Sequence, residues 1–342
     1  MTVVKTNDLV GVGVIGTGRA GMVHIANFAE NVPRARLVAV CDLNEKSVQE
    51  AALKWNADSY SSPEEFLKHP SLDAVVIATP TFAHAELVIA TAEAKKAILC
   101  EKPLTITEEE AEEMDKAVQR NGVPFVMGFM RRFDQSFLRA REMVERGDIG
   151  EPLMVKSTGK GPGLPPSWNL DIEKSNGMLA EVNSHDFDCV RFLTGEEYKW
   201  VFATALNNKC PDYKAEYPQF YDTAIVTFGM SGKVIGTIDG ACPADYGYDA
   251  RVEVQGADGV LFIGDLAKKG VVIGRKGKGV VEEIVDSWRS LFREAYLAED
   301  RCLVDCVLKG IEPPSTLKDG WQALKAVRAS NRSIRSGKVE EV

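Results

Sequence analysis

Two side chains in this sequence suit the removal of a proton from an alcohol and the holding of the charge that results. Lys102 follows the apolar run Ala97-Ile98-Leu99-Cys100 and Glu101, and it precedes Pro103, which restricts the lysine's backbone. An ammonium held there can stabilise negative charge developing on an oxygen; a solvated strand-end charge is the plain alternative. His185 lies in Gly177-Met178-Leu179-Ala180-Glu181-Val182-Asn183-Ser184-His185-Asp186-Phe187-Asp188, which reads as one helix. At about 3.6 residues per turn, Met178, Leu179, Val182, Cys189, Val190 and Leu193 share one sector, and Glu181, His185 and Asp188 share the other. A histidine on a polar face, one turn from a carboxylate, suits proton transfer. An incidental i, i+4 pair on an exposed face is the alternative. Asp186 falls in the apolar sector and should have a buried partner.

These groups need something to work against, and the start of the chain supplies it. The run Leu9 to Ile15 ends in Gly16-Thr17-Gly18-Arg19-Ala20-Gly21, after which apolar residues recur at helical spacing. Strand, glycine turn and helix in that order form the context in which G-x-G-x-x-G binds a dinucleotide. Gly16 makes the tight turn, Gly18 lets backbone approach a pyrophosphate, and Gly21 lets the helix lie close on the strand. The phosphates would sit on free N–H groups at a helix start. Asp42 closes the next apolar run, twenty-one positions after Gly21, where an acidic side chain accepts hydrogen bonds from the adenosine ribose. Its charge repels a 2′-phosphate, and Leu43-Asn44 offers no arginine to neutralise one, so NAD is expected over NADP. Lys46 nearby weighs the other way.

Between Val10 and Gly128 short apolar runs alternate with helical segments, which implies a parallel sheet covered on both faces. After Arg131 the pattern changes to consecutive strand-like runs joined by turns such as Met230-Ser231-Gly232. We therefore expect an α/β fold, with an N-terminal Rossmann domain over 1–130. An α+β domain with a large open, mainly antiparallel sheet should follow over 131–342, with a C-terminal helix able to pack back on the first. An open sheet with an apolar face needs a cover, for which a second subunit is the usual solution. The 342 residues carry 41 Lys and Arg against 50 Asp and Glu, a formal charge of −9, which argues against nucleic acid or anionic membrane as partners. Seven scattered cysteines read as reduced core thiols, no metal site is apparent, and a cytoplasmic location is expected.

Ligands of such sheets lie beyond the carboxyl ends of the strands. Three strand ends carry polar clusters: Thr79-Pro80-Thr81-Phe82-Ala83-His84, Glu101-Lys102-Pro103 and Met130-Arg131-Arg132-Phe133-Asp134. Thr79, Pro80, His84 and Glu101 join the glycine turn, Asp42, Leu43 and Lys102 as candidates for holding the cofactor. In the glycine- and proline-rich stretch from Gly159 to Asp171, read as lacking regular structure, Trp168 offers a flat face to a sugar ring, and Lys160 and Asn169 offer hydrogen bonds; loop packing is the alternative. With Arg131, Lys102, Glu181 and His185 they make up the candidate substrate contacts.

The combination Gly16-x-Gly18-x-x-Gly21-x-x-His24, Ala78-Thr79-Pro80-x-x-x-His84, Glu101-Lys102-Pro103, Gly128 to Asp134 and His185-Asp186-Phe187-Asp188 resembles the Gfo/Idh/MocA oxidoreductases over nearly the whole chain, and the inositol dehydrogenase branch in particular. By that resemblance Lys102 matches the family's active-site lysine and His185 its catalytic histidine. Glu181 stands where the family usually has aspartate. The resemblance also implies a homodimer or homotetramer joined through the open sheet. The expected reaction is oxidation of a secondary hydroxyl of a cyclitol, sugar or related polyol. His185 takes the hydroxyl proton, Lys102 steadies the oxygen, and the carbon-bound hydride passes to NAD at a point where the two side chains meet. The alternatives are an enzyme that retains NAD and performs epimerisation or glycoside cleavage through transient oxidation, and a non-catalytic NAD-binding sensor.

Overall fold

Six short strands, β1 (Val10–Ile15), β2 (Ala35–Cys41), β3 (Asp58–Tyr60), β4 (Ala74–Ile77), β5 (Ala97–Glu101) and β6 (Phe125–Gly128), pair in parallel in the order β3-β2-β1-β4-β5-β6. The structure is a computed structural model that describes residues 9–164, 166–275 and 279–342. Every position of β1, β4, β5 and β6 is buried, which explains why their sequences are apolar up to Glu101 at the end of β5 and places helices on both faces. The strand order reverses between β1 and β4, and in open sheets that point makes the ligand crevice. The turns at Gly16 and at Thr79-Pro80 leave the sheet there.

The first compact unit takes in residues through Phe133 and also the later segment Glu294–Leu324. The expected single boundary after residue 130 does not describe this arrangement. Specific bonds hold the returning segment. Asp300 pairs with His24 at 2.6 Å and accepts from Asn27 at 2.8 Å. Arg132 donates to the Pro314 carbonyl at 2.7 Å and to Asp319 at 2.9 Å, and Met127 donates its N–H to Ser315 at 3.1 Å.

The second unit comprises Asp134–Arg293 and Lys325–Val342. Its main sheet uses β7 (Pro152–Lys160), β8 (Tyr198–Leu206), β9 (Thr223–Met230), β10 (Ile235–Ala241), β11 (Asp249–Gly256), β12 (Val260–Ile263) and the terminal β15 (Glu340–Glu341). The order is β12-β11-β7-β10-β9-β8-β15, antiparallel except for the β7–β10 pair. The run Val271–Ile273 belongs to a separate ribbon of β13 (Ala267–Arg275) and β14 (Gly279–Ile284). One face of the main sheet is buried by Val155, Val201, Val226, Phe228, Ile238 and Val252. The other exposes Phe202, Ile225, Ile235 and Phe262 among polar neighbours such as Thr227, Lys156 and Glu253.

All seven cysteines are free and buried. Among the described residues, no helix is long and apolar enough to cross a membrane.

Candidate active site

In the glycine turn, Gly16 has φ +101, and a side chain there would strike the Ala78 carbonyl at 2.4 Å. A Cβ on Gly21 would lie 1.8 Å from the Gly16 carbonyl oxygen, so the helix Gly21–Glu30 can approach the turn only because that residue is glycine. At Gly18 a Cβ would meet nothing within 4 Å, which leaves open space on the ligand side of the turn. Ala20 offers no side-chain cap and the first helical turn has no acidic residue, so the helix start presents N–H groups to an anion. Gly18 and Arg19 are exposed beside it. Asp42 Oδ2 accepts the Thr17 N–H at 2.7 Å and the Thr17 hydroxyl at 2.8 Å, and Oδ1 accepts the Asn44 N–H at 2.9 Å. Spare acceptor capacity remains on the carboxylate for a ribose hydroxyl. These residues fit a dinucleotide; Leu43 lies beside them, largely exposed.

Lys102 follows the last residue of β5 and is half-buried. The carboxylate of Glu101 folds back to accept the Lys102 N–H at 3.1 Å, and Lys102–Pro103 is a cis peptide. Glu101 is also 3.1 Å from His24 Nε2. Burial works against charge on His24, yet Asp300 and Glu101 together raise its proton affinity well above that of an ordinary histidine. His84 lies 2.8 Å through Nδ1 from the Pro103 carbonyl and 3.0 Å through Nε2 from the Thr79 carbonyl. Its ring braces the turns after β4 and β5 against each other, a different task from the cofactor contact expected of it. Arg131 is fully buried in the short 3-10 turn Met130–Phe133.

In the second unit the expected single helix is two, Gly177–Glu181 and Ser184–Thr194. The break at Val182-Asn183 overturns the argument that Glu181 and His185 stack one turn apart on one helix. Asn183 causes it. Its side-chain NH2 donates to the Gly159 carbonyl at 3.2 Å and to Asp186 at 2.9 Å. Asp186 also accepts from Ser157 at 2.7 Å, which identifies its buried partner as β7. A Cβ at Gly159 would lie 2.0 Å from Asp186, and one at Gly240 2.0 Å from Asn183, so two glycines let this helix press onto the sheet. His185 is 5% exposed, Asp188 is fully buried with Arg191 at 3.7 Å, and Glu181 is half-buried. The polar sector is thus an interior one.

The stretch expected to lack structure holds the short helix Ser167–Leu170, and a second, Ile172–Ser175, follows directly after it. Trp168 is half-buried, while Asn169 is 1% exposed with neither amide atom hydrogen-bonded among the described residues. Lys160 is not gathered with them. Successive residues of a strand face opposite ways, and Lys160 shares the open face with Asp239, 2.8 Å away, opposite to the face where Gly159 meets Asp186.

Sequence reasoning missed Asp300 and Glu299. The available signal was two consecutive acids in a helix, Arg293–Lys309, whose neighbours Ala295, Tyr296, Cys302 and Leu303 are core residues.

Residues 10–129 match the oxidoreductase family with an NAD-binding Rossmann fold, and residues 137–262 match the GFO/IDH/MocA C-terminal domain. A myo-inositol 2-dehydrogenase of Thermotoga maritima is 34% identical over 97% of this chain and 99% of its own length. A scyllo-inositol 2-dehydrogenase (NAD(+)) of Bacillus subtilis is 34% identical over 95% of this chain and 94% of its own. Among solved structures, a myo-inositol dehydrogenase of Lactobacillus casei in complex with NAD(H) and myo-inositol superposes with a TM-score of 0.87 at 26% identity, covering 98% of this chain and 97% of that one. Likeness on this scale, end to end and in both units, makes the chain a member of the Gfo/Idh/MocA family of NAD-binding oxidoreductases.

Proposed function

We propose that this protein is an NAD-dependent dehydrogenase that oxidises a secondary hydroxyl of a cyclitol, an inositol foremost, to the ketone. The observation that carries the reading is the glycine turn with its open side at Gly18 and its carboxylate at Asp42, in a chain that matches inositol 2-dehydrogenases along its whole length. NAD bound at that turn supplies the acceptor for the carbon-bound hydride. His185 takes the proton of the reacting hydroxyl as general base. Lys102 donates a hydrogen bond to the same oxygen and steadies the negative charge that develops as the C–H bond breaks.

Asn169 supports a polyhydroxylated substrate, because a buried amide with two unused polar atoms costs free energy until a ligand satisfies it. Trp168, Arg131 and Glu181 complete the proposed substrate contacts. Lys160, tied to Asp239, is left out of them. Glu181 in place of aspartate moves a carboxylate by about one ångström, a displacement able to change rates about a hundredfold, so the preferred stereoisomer is set by this protein's own residues.

Self-association through the open sheet is part of the same reading. Phe202, Ile225, Ile235 and Phe262 make an exposed apolar face that a second copy would cover. Seven free thiols suit the reducing cytoplasm. The deciding experiment is a panel of inositol stereoisomers, aldoses and alditols with NAD and NADP in parallel, followed by NADH or NADPH absorbance. Turnover of at least one inositol with NAD is the expected result; no cofactor reduction across the panel refutes the reading.

A further inference from the structure

Four titratable side chains meet out of reach of water beneath the strand end that carries Lys102. Asp300 and Glu299 are 0% exposed, as is His24, and Glu101 is nearly so. His24 Nδ1 is 2.6 Å from Asp300 and Nε2 3.1 Å from Glu101, so the ring faces a carboxylate at each nitrogen and satisfies both only by donating twice. Glu101 passes the chain on to Lys102 through the lysine's N–H. Glu299 stands outside that chain. One ligand-type atom each from His24, Glu101 and Glu299 lie within 4.8 Å of one another, yet neither Glu299 oxygen has a hydrogen-bond partner among the described residues. Because both His24 nitrogens are already spent on carboxylates, the three are poorly arranged to bind a cation.

The imidazolium of His24 offsets one carboxylate, Asp300. Two further carboxylates side by side in the same dry space cannot both be ionised; such a pair holds one proton between them. On the reading of Lys102 given above, we propose that Glu101 and Glu299 hold one buried proton between the two of them, carried by Glu299, and that Glu299 is the positioning residue that keeps Glu101 ionised, in the form that fixes the backbone of Lys102. The cluster then presents one net negative charge behind the lysine. Burial, and after it the Glu101 charge, holds the Glu299 carboxyl well above the usual range. Against the same pull of burial, the hydrogen bond and charge of His24, with Lys102, bring Glu101 below it. The other groups facing the cluster are Cys100, whose thiol burial pushes up, Asn27, Cys302 and Tyr296, whose ring edge meets His24 at 5.6 Å.

The test uses the full-length protein and its best panel substrate, with Glu299→Leu and Glu299→Gln compared. Glu299→Leu should lower kcat by about tenfold or more and shift the pH midpoint of kcat, with KM and NAD affinity within about threefold, as expected of a misplaced catalytic group. Glu299→Gln keeps an uncharged polar side chain of nearly the same shape, as the protonated carboxyl is, and should recover most of that loss. Equal loss in both variants, or no shift of the pH profile in Glu299→Leu, overturns the proposal. Infrared spectroscopy of the unmodified protein supplies a second readout that needs no turnover and no variant to fold. A protonated-carboxyl band should be present at neutral pH and should disappear in Glu299→Gln, and its absence from the unmodified protein overturns the shared proton. A stoichiometric divalent metal in the purified protein does the same. Lys102→Met run alongside keeps the two questions apart: retained turnover in that variant removes the lysine reading, whatever the infrared band shows.

Discussion

Thr17 gives both its backbone N–H and its hydroxyl to a single oxygen of Asp42, at 2.7 and 2.8 Å. The pair pins the glycine turn to the end of β2 and fixes an anion where a 2′-phosphate would have to lie. Asp42→Ala removes both the ribose acceptor and that repulsion. The ratio of kcat/KM for NAD over NADP should fall by about tenfold or more, the scale of one hydrogen bond to a charged group. Parallel initial-rate measurements with the two cofactors check it.

Two glycines of the same turn should respond differently to one methyl group. Gly18→Ala meets open space and should leave Tm unchanged while weakening NAD binding, because the methyl enters the volume a pyrophosphate needs. Gly21→Ala drives a carbon to 1.8 Å from the Gly16 carbonyl and should cost about 3 kcal/mol or more. Thermal denaturation together with NAD titration separates the two.

Lys102→Met should abolish turnover, and His185→Gln should lower kcat by about 10²- to 10⁴-fold, the usual worth of a general base. Each should leave NAD affinity nearly as it was. Stopped-flow turnover with equilibrium NAD binding tests both, and activity near that of the unmodified protein in either removes that residue from the mechanism.

Asp186→Ala strands the Asn183 amide and the Ser157 hydroxyl in the interior and should cost about 2 to 4 kcal/mol. Gly159→Ala should be damaging for the converse reason, since its new carbon falls 2.0 Å from Asp186. Urea denaturation of both variants measures the loss. A variant as stable as the unmodified protein contradicts the clamp between helix and sheet.

Stability should decline as pH rises above neutrality. His24 binds its proton more tightly folded than unfolded, so its contribution is complete below the unfolded value of about 6.5 and is lost as pH climbs through the folded one. Glu299 acts in the same direction, because the folded chain keeps a proton that the unfolded chain releases above about pH 4.3. The decline in Tm should therefore be shallower in Glu299→Gln. A Tm that rises over this range contradicts the assignment.

Most of the first sheet could be read from the chain because buried parallel strands are apolar at every position, as in Ala74-Val75-Val76-Ile77. β3 was missed for the same reason in reverse: it is a three-residue edge strand with Asp58 and Ser59 exposed. Helix periodicity carried through Val182-Asn183 because the break there is accompanied by a tertiary bond from Asn183 to Gly159, which the sequence does not show, beside the local one to Asp186. Lys160 was misjudged because strand alternation decides its face, and the end of β7 was not visible in a stretch rich in glycine and proline. A C-terminal helix packing back on the first domain was among the expectations, but the anchor of Glu294–Leu324 was beyond reach, since the Asp300–His24 contact links residues 276 positions apart.

That return has a consequence for the order in which the protein is made. A ribosome delivers His24 and Glu101 well before Asp300, so until residue 300 emerges the interior imidazole has only one of its two carboxylate partners. Its final packing waits for the segment Glu294–Leu324. A chain truncated before residue 294 would yield a dinucleotide fold that lacks a structural member and loses stability accordingly.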